Sequence, residues 1–237
     1  MANAETSKDA KAQLDADAKW AASLLDKLCQ SGSIYAMPPD CVKNCEGLAF
    51  LRVTKAGLGV TLARGTGFVI RKLSRKDEHG HMRWSDPVYF TIKQIGIGAA
   101  AGYETVESCV VLNTVHAVDN FVDRGSLGVD ALAGTTEGIR GIPAGALGNN
   151  ATSDVQVEFN LEFADATKCY SLASGALASV AFTGTDVSHD QDRNSALYGG
   201  VPVAHVLSGM MAPRFQEMTP LYDKITQLGK MPLVPGL

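Results

Sequence analysis

Ser188-His189-Asp190 sets the three side chains of a hydrolase triad next to one another, the types that make an activated nucleophile when they meet in space. A working triad draws its members from separate elements so that nucleophile, base and orienting carboxylate align through hydrogen bonds, and adjacency argues against that. With Asp186 and Asp192 nearby, the segment reads as a solvated acidic loop. Calcium is the lesser reading, because the spacing and glycine of an EF-hand loop are missing. Gly96-x-Gly98-x-x-x-Gly102 follows a strand-like run, where a dinucleotide loop would let backbone approach a pyrophosphate. No parallel βαβ alternation follows, so close strand packing or a bulge is the stronger reading. His79-Gly80-His81 offers two imidazoles without a third ligand at recognisable spacing and reads as an exposed turn. His116 and His205 fall in segments of helical period and read as structural histidines. Cys41 and Cys45 lie outside the C-x-x-C spacing of zinc and redox sites and read as small buried hydrophobes sharing a helical face. The sequence assembles no catalytic residues, no metal ligand set and no cofactor site.

What remains is charge. The net charge is −4 with a pI near 5.7. Nothing in that balance attracts nucleic acid or anionic lipid, so such binding has to come from a local patch. Between Arg64 and Arg83, six basic residues (Arg64, Arg71, Lys72, Arg75, Lys76, Arg83) stand against Asp77 and Glu78, a net +4. From Trp84 to Tyr170 four basic residues (Lys93, Arg124, Arg140, Lys168) face eleven acidic ones, a net −7. A basic hairpin on an acidic body suits lipid phosphates, each nearby cation contributing about 1 kcal/mol at an anionic surface. On charge alone an ordinary solvated loop fits equally well.

The elements that position these groups follow from periodicity. Leu14, Ala18, Ala21, Leu24, Leu25 and Leu28 recur at helical spacing with Trp20 beside them, predicting an amphipathic helix over Ser7 to Gln30. Lys8, Lys11, Lys19 and Lys27 balance Asp9, Asp15, Asp17 and Asp26, so packing onto the domain or a partner is favoured over lipid insertion, which stays open. A short helix is expected from Cys41 to Glu46. Strand-like runs follow at Leu48 to Thr54, Thr66 to Leu73, Val88 to Ile95 and Ser108 to Leu112, with Ser74 to Arg83 a polar, hairpin-like loop. Asn113 to Arg124 has helical period, Gly125 to Asn150 is loop-like, and Val155 to Phe163 and Leu177 to Thr183 are strand-like. Pro213 to Leu228 predicts a closing amphipathic helix kinked at Pro220. The class is α+β, a largely antiparallel twisted sheet or half-barrel flanked by amphipathic terminal helices. With 46% hydrophobic and 19% charged residues over 237 positions, one compact domain is expected, divided as helix 1–32, domain 33–229 and tail 230–237. There is no apolar signal core and no stretch near the roughly 18 apolar residues that span a bilayer, and the cysteine count is odd, so a soluble, reducing, cytoplasmic setting is expected.

The glycine-punctuated central runs have an order of their own. Pro39 through Gly47-Leu48-Ala49-Phe50-Leu51, Lys55-Ala56-Gly57, Gly65-Thr66-Gly67, Trp84-Ser85-Asp86-Pro87, Gly96-x-Gly98, Gly102-x-Glu104 and Val111-Leu112-Asn113 are followed by Tyr170-Ser171, Gly175, Gly184, Asn194, Tyr198-Gly199, Leu207-x-Gly209 and Pro213. In that order they resemble the SYLF domain family, also called the Ysc84 actin-binding domain, from about Pro39 to Leu228. The family's Gly-Pro-x-Gly-Arg segment is present loosely as Gly134 to Arg140 without its proline, and its Ser-Lys-Gly is here Ala173-Ser174-Gly175. The resemblance implies a non-enzymatic domain that binds phosphoinositide-containing membranes, partly through its N-terminal helix, and actin filaments or other proteins, without nucleic acid or cofactor. The candidate lipid-binding residues are Lys8, Lys11, Lys19, Trp20, Leu24, Lys27, Arg71, Lys72, Arg75 and Lys76. It implies a cytoplasmic protein associated peripherally with membrane or cytoskeleton. The alternatives are a structural protein-interaction subunit without lipid binding and, more weakly, a nucleotide-dependent enzyme using Gly96 to Gly102.

Overall fold

The computed structural model describes residues 2–30, 37–76, 82–123, 126–127, 167–210 and 215–231. Helix α1 runs Ala2–Gln30, α2 Pro39–Asn44, β1 Gly47–Lys76, β2 Met82–Trp84, β3 Val88–Leu112, α3 Val115–Asp123, β4 Ser126–Leu127, β5 Thr167–His189, α4 Gln191–Tyr198, α5 Val203–Leu207 and α6 Thr219–Gly229, the last preceded by a 3₁₀ turn at Gln216–Met218. The described strands form one open antiparallel sheet in the order β2-β1-β3-β5-β4. The expected α+β class with terminal helices therefore holds. The expected strand Val155 to Phe163, the His79-Gly80-His81 turn and nearly all of Gly125 to Asn150 lie outside the described residues.

Four of the expected short strands merge into two long ones. Gly57, Gly65 and Gly67 read as breaks in the sequence, yet β1 continues through them and doubles back on itself. A Cβ at Gly67 would lie 2.4 Å from the Phe50 carbonyl oxygen, and one at Gly65 would lie 2.6 Å from that of Arg52. The two halves touch at backbone distance, which is why a side chain is excluded there. Lys72 N donates to Glu46 O at 2.8 Å, tying the strand's end to its beginning. Gly96, Gly98 and Gly102 lie inside β3, where the pairing with β1 slips between Leu58 and Val60 and Gly102 has φ 131°. The bulge reading is correct, and a phosphate loop is overturned because these glycines neither end a strand nor open a helix.

Alternate residues of the long strands feed two cores. Leu48, Phe50, Phe68, Ile70, Trp84, Tyr89, Cys109 and Val111 pack with α1 and α6 on one face, and Phe50 and Phe68 ring centroids are 5.2 Å apart. Ala49, Leu51, Val69, Val88, Phe90, Val110 and Leu112 pack with α3 and α5 on the other. In α1 the whole expected stripe, Leu14, Ala18, Ala21, Leu24, Leu25 and Leu28, is at most 2% exposed. Pro220 occupies the first turn of α6, where no intrahelical N–H bond is lost, so the expected kink is absent.

Candidate functional site

The residues offered for catalysis disperse. Ser188 and His189 end strand β5, where Ser188 Oγ lies 3.1 Å from Thr91 Oγ1 and adjacent side chains point to opposite faces. Asp190 is the N-cap of α4, its carboxylate accepting from Arg193 N at 3.1 Å. The acidic loop is thus a strand end and a helix cap. His116 and His205 do lie in α3 and α5 but are exposed, because they fall on the outer sides of those helices. Cys45 follows α2, buried, its thiol donating to Val42 O at 3.3 Å, while Cys41 Sγ lies 3.3 Å from the Tyr170 hydroxyl. Burial pushes the Cys45 thiol up to about 12, against a smaller opposing pull from Lys72, and burial together with Asp26 raises Cys29 to about 11. Burial thus holds the Cys45 and Cys29 thiols protonated. Among the described residues no group of three or more His, Cys, Asp or Glu side chains is placed to hold a metal ion.

The tetrad Trp84-Ser85-Asp86-Pro87 is where the elements converge, and all four residues are buried. Ser85 Oγ accepts from Arg71 N at 2.9 Å and donates to Asp86 O at 3.0 Å, while Ser85 N donates to Arg71 O at 2.8 Å. The hydroxyl of Tyr222 from α6 donates to Ser85 O at 2.7 Å, and that of Tyr198 from α4 donates to Pro87 O. Two residues on, the Asn194 side chain embraces the Tyr89 backbone, accepting from Tyr89 N at 2.9 Å and donating to Tyr89 O at 2.8 Å. Burial, with Asp86 adding to it, holds the Tyr222 phenol well above its usual range. The tetrad is a clasp between strand, α4 and α6. Tyr198, which bonds the tetrad, and Asn194, which bonds Tyr89 beside it, stand in the sequence as isolated family positions, with nothing in their spacing to pair them with this strand.

Helix α1 is clasped by side chains as well as by its apolar stripe. Trp20 Nε1 donates to Glu107 Oε1 at 2.7 Å, the Arg52 guanidinium lies 4.4 Å above the indole, and Arg52 Nε donates to the same carboxylate oxygen at 3.0 Å. Asp17 pairs with Arg193, whose guanidinium stacks 3.6 Å over Tyr89, and Asp26 pairs with Lys224 of α6. Of the ten candidate lipid residues, Leu24 is in the core and Trp20 is half-buried in these contacts, so neither reaches lipid while α1 is docked. Lys11, Lys19 and Lys27 are exposed, with Lys19 bonded to Asp15 at 2.7 Å. Arg71 pairs with Asp119 of α3 at 3.1 Å, and Lys72 donates to Lys43 O at 2.7 Å with its ammonium 5.8 Å from the Trp84 ring centroid. The side chains of Lys8, Arg75 and Lys76 lie outside the described set, though Lys76 pairs with Met82 in the β1–β2 ladder. The basic hairpin expected at Ser74 to Arg83 is present as that ladder. No described helix is long and apolar enough to cross a membrane.

An open sheet doubled over on itself, carrying one helical layer on each face and using its buried polar side chains to tie elements together, defines an α+β scaffold. The chain belongs to the Ysc84 family, described as Las17-binding protein actin regulator, whose model matches residues 93–228, more than half of the chain. It is 27% identical over 205 residues to "LAS seventeen-binding protein 3" of Saccharomyces cerevisiae, covering 84% of this chain and 41% of that protein. It is 29% identical over 170 residues to "SH3 domain-containing YSC84-like protein 1" of Xenopus laevis, covering 72% and 46%, and 28% identical over 189 residues to the human protein of the same name, covering 78% and 50%. The chain thus spans half or less of the length of these curated relatives. No solved structure matches it.

Proposed function

We propose that this chain is a non-catalytic adaptor of the actin cytoskeleton that docks on phosphoinositide-containing membranes. The observation that carries the actin half is membership of a family described as actin regulators, with relatives named for binding Las17. The membrane half rests on the Arg64 to Arg83 stretch, which includes the β1–β2 hairpin and carries a net +4 on an otherwise acidic chain. In this reading Arg71, Lys72, Arg75 and Lys76 meet lipid phosphates and the exposed Lys11, Lys19 and Lys27 of α1, with Lys8, add attraction. Trp20 and Leu24 contribute indirectly, by holding α1 in place. The protein then works in the cytoplasm as a peripheral, cytoskeleton-associated component.

Two assays on the full chain test this: co-sedimentation with actin filaments, and flotation with vesicles that carry single phosphoinositides. Pelleting with filaments and salt-sensitive, headgroup-dependent flotation are expected. Neither response at low salt would sink the proposal. Filament binding without flotation would select a second reading, a protein-interaction subunit without lipid binding, which the burial of the α1 apolar stripe favours.

A further inference from the structure

Two cations face each other across the sheet. Arg64 of β1 is directly in register with Lys93 of β3, in a ladder that runs without a shift from Val60 with Ile97 to Val69 with Val88. Both side chains are exposed, and among the described residues neither has an ion-pair partner. Asp186 of β5 is in register with Lys93, one strand farther from Arg64, so the residue directly opposite Arg64 is a like charge. Like charges set opposite one another destabilise the strands that carry them. A local rule broken without a compensating contact marks a place where function is expected to supply one.

Alternation along the strands places this pair on the α1 side. Phe68 and Tyr89, opposite one another, are buried in the core shared with α1; Thr66 with Thr91 comes next, then Arg64 with Lys93, then Leu62. Cover is lost along that line: Phe68 is buried, Thr66 and Arg64 are exposed, and Leu62 is 56% exposed. The first half of β1 leaves cover in the same way. Arg52 and Glu107 are held by Trp20, Thr54 Oγ1 lies 3.4 Å from Thr105 Oγ1, and Tyr103, opposite Ala56, is 57% exposed. The stretch of β1 from Ala56 to Leu62 joins these two margins. Helix α1 therefore covers the middle of this face and leaves Leu62, Arg64, Lys93 and Tyr103 bare.

We propose that this uncovered end of the sheet receives an acidic segment of a protein partner, its carboxylates set between Arg64 and Lys93 and an apolar side chain laid against Leu62 and Tyr103. This rests on the adaptor reading above and gives the adaptor a surface for its partner. A carboxylate between the two cations turns a repulsion borne by the free protein into two attractions, so the same arrangement that costs stability favours binding. The occupant is a protein segment because Leu62 and Tyr103 stand on the pleated face beside the cations, where a side chain can lie across them; insertion into a bilayer calls for an apolar helix face or a projecting tip.

The test is fluorescence anisotropy of the full chain with a fluorescein-labelled glutamate peptide that carries one central leucine. Salt-sensitive binding is expected, weakened about tenfold in Arg64→Gln/Lys93→Gln. Lys43→Gln/Lys230→Gln removes as much charge from exposed lysines elsewhere and is expected to stay within about twofold of the parent. Equal weakening in the two variants would make the attraction diffuse and overturn the surface. Arg64→Gln/Lys93→Gln is also expected to melt at or above the parent temperature, because it removes the repulsion, and a lower melt would overturn the strained pair. Leu62→Ser should weaken the leucine-bearing peptide and leave one of glutamate alone unaffected; the same response to both overturns the apolar half. A parent chain that pellets with actin filaments yet ignores the peptide overturns this surface and leaves the adaptor reading standing, whereas one that does neither overturns both. Flotation with phosphatidylserine vesicles in place of peptide binding, lost in Arg64→Gln/Lys93→Gln, would overturn the protein occupant in favour of lipid.

Discussion

Asn194 and Gly67 show how individual residues carry this fold. Removing the Asn194 amide leaves the buried Tyr89 N–H without its partner, while Tyr89 O keeps the bond from Asp190 N. An orphaned buried donor costs about 1–3 kcal/mol, so Asn194→Ala is expected to lower the melting temperature by roughly 4–8 °C for a loss of about 2 kcal/mol. Gly67→Ala is harsher, because its Cβ would meet both the Phe50 carbonyl and the Phe90 ring. A loss of about 3 kcal/mol, the upper end of overpacking costs, is expected in denaturant titration. Wild-type stability in that variant would mean that the two halves of β1 are farther apart. Titration adds a further expectation. Cys45 and Cys29 rise from 9.0 to about 12 and about 11 on folding, chiefly by burial. The native protein then holds protons that the unfolded chain releases. This stability is complete below pH 9 and is lost as the pH climbs through 11 to 12. Denaturation midpoints should therefore fall as pH rises above 9, and Cys45→Ala should flatten that decline whatever it does to the midpoint at neutral pH.

At the level of elements, sequence periodicity is informative wherever one face is buried against one core. The α1 stripe, α3 and the closing helix were all legible for that reason. The long strands were not, because β1 and β3 are bent and bulged at glycines that local rules treat as ends, and only the backbone contact of Gly67 with Phe50 reveals why they are there. Pro220 misled for a related reason: its effect depends on whether it starts a helix or interrupts one, which is set by the preceding 3₁₀ turn. The basic hairpin was legible from charge, but its division between two faces needed the strand register. The Asp17–Arg193 pair, which joins α1 to α4, was also invisible, since the partners are far apart in sequence and each looks like a surface charge. Both side chains are mostly buried, at 22% and 13% exposed. Breaking such a pair from one side strands the other charge, so Asp17→Ala is expected to cost about 3 kcal/mol. Asp17→Leu/Arg193→Met should cost less than the sum of its single changes. Additive losses in that double-mutant cycle would show that the pair does not couple α1 to α4.

For the whole molecule, the decisive question is whether α1 is an appendage or part of the domain. Leu14, Leu24, Leu25 and Leu28 are each at most 2% exposed and join one cluster with Phe50, Phe68, Met218 and Leu221. At about 2 kcal/mol for each buried leucine, these four side chains contribute about 8 kcal/mol, comparable to the roughly 5–15 kcal/mol by which a domain is stable at all. The polar face adds the Asp17, Trp20 and Asp26 contacts. A division into helix 1–32 and domain 33–229 is therefore proposed to have no independent folding behind it. A chain starting at Ser33 is expected to lose its near-ultraviolet circular dichroism and its cooperative melt, and to bind a hydrophobic dye through the exposed Phe50 and Phe68 core. A folded, cooperative Ser33 chain would instead make α1 separable, and would restore to Trp20 and Leu24 the freedom to enter a membrane. The same measurement decides how lipid binding is to be dissected, since loss of binding in an unfolded truncation says nothing about α1 as an anchor. Charge substitutions in the full chain keep that core closed and so report on the surface alone.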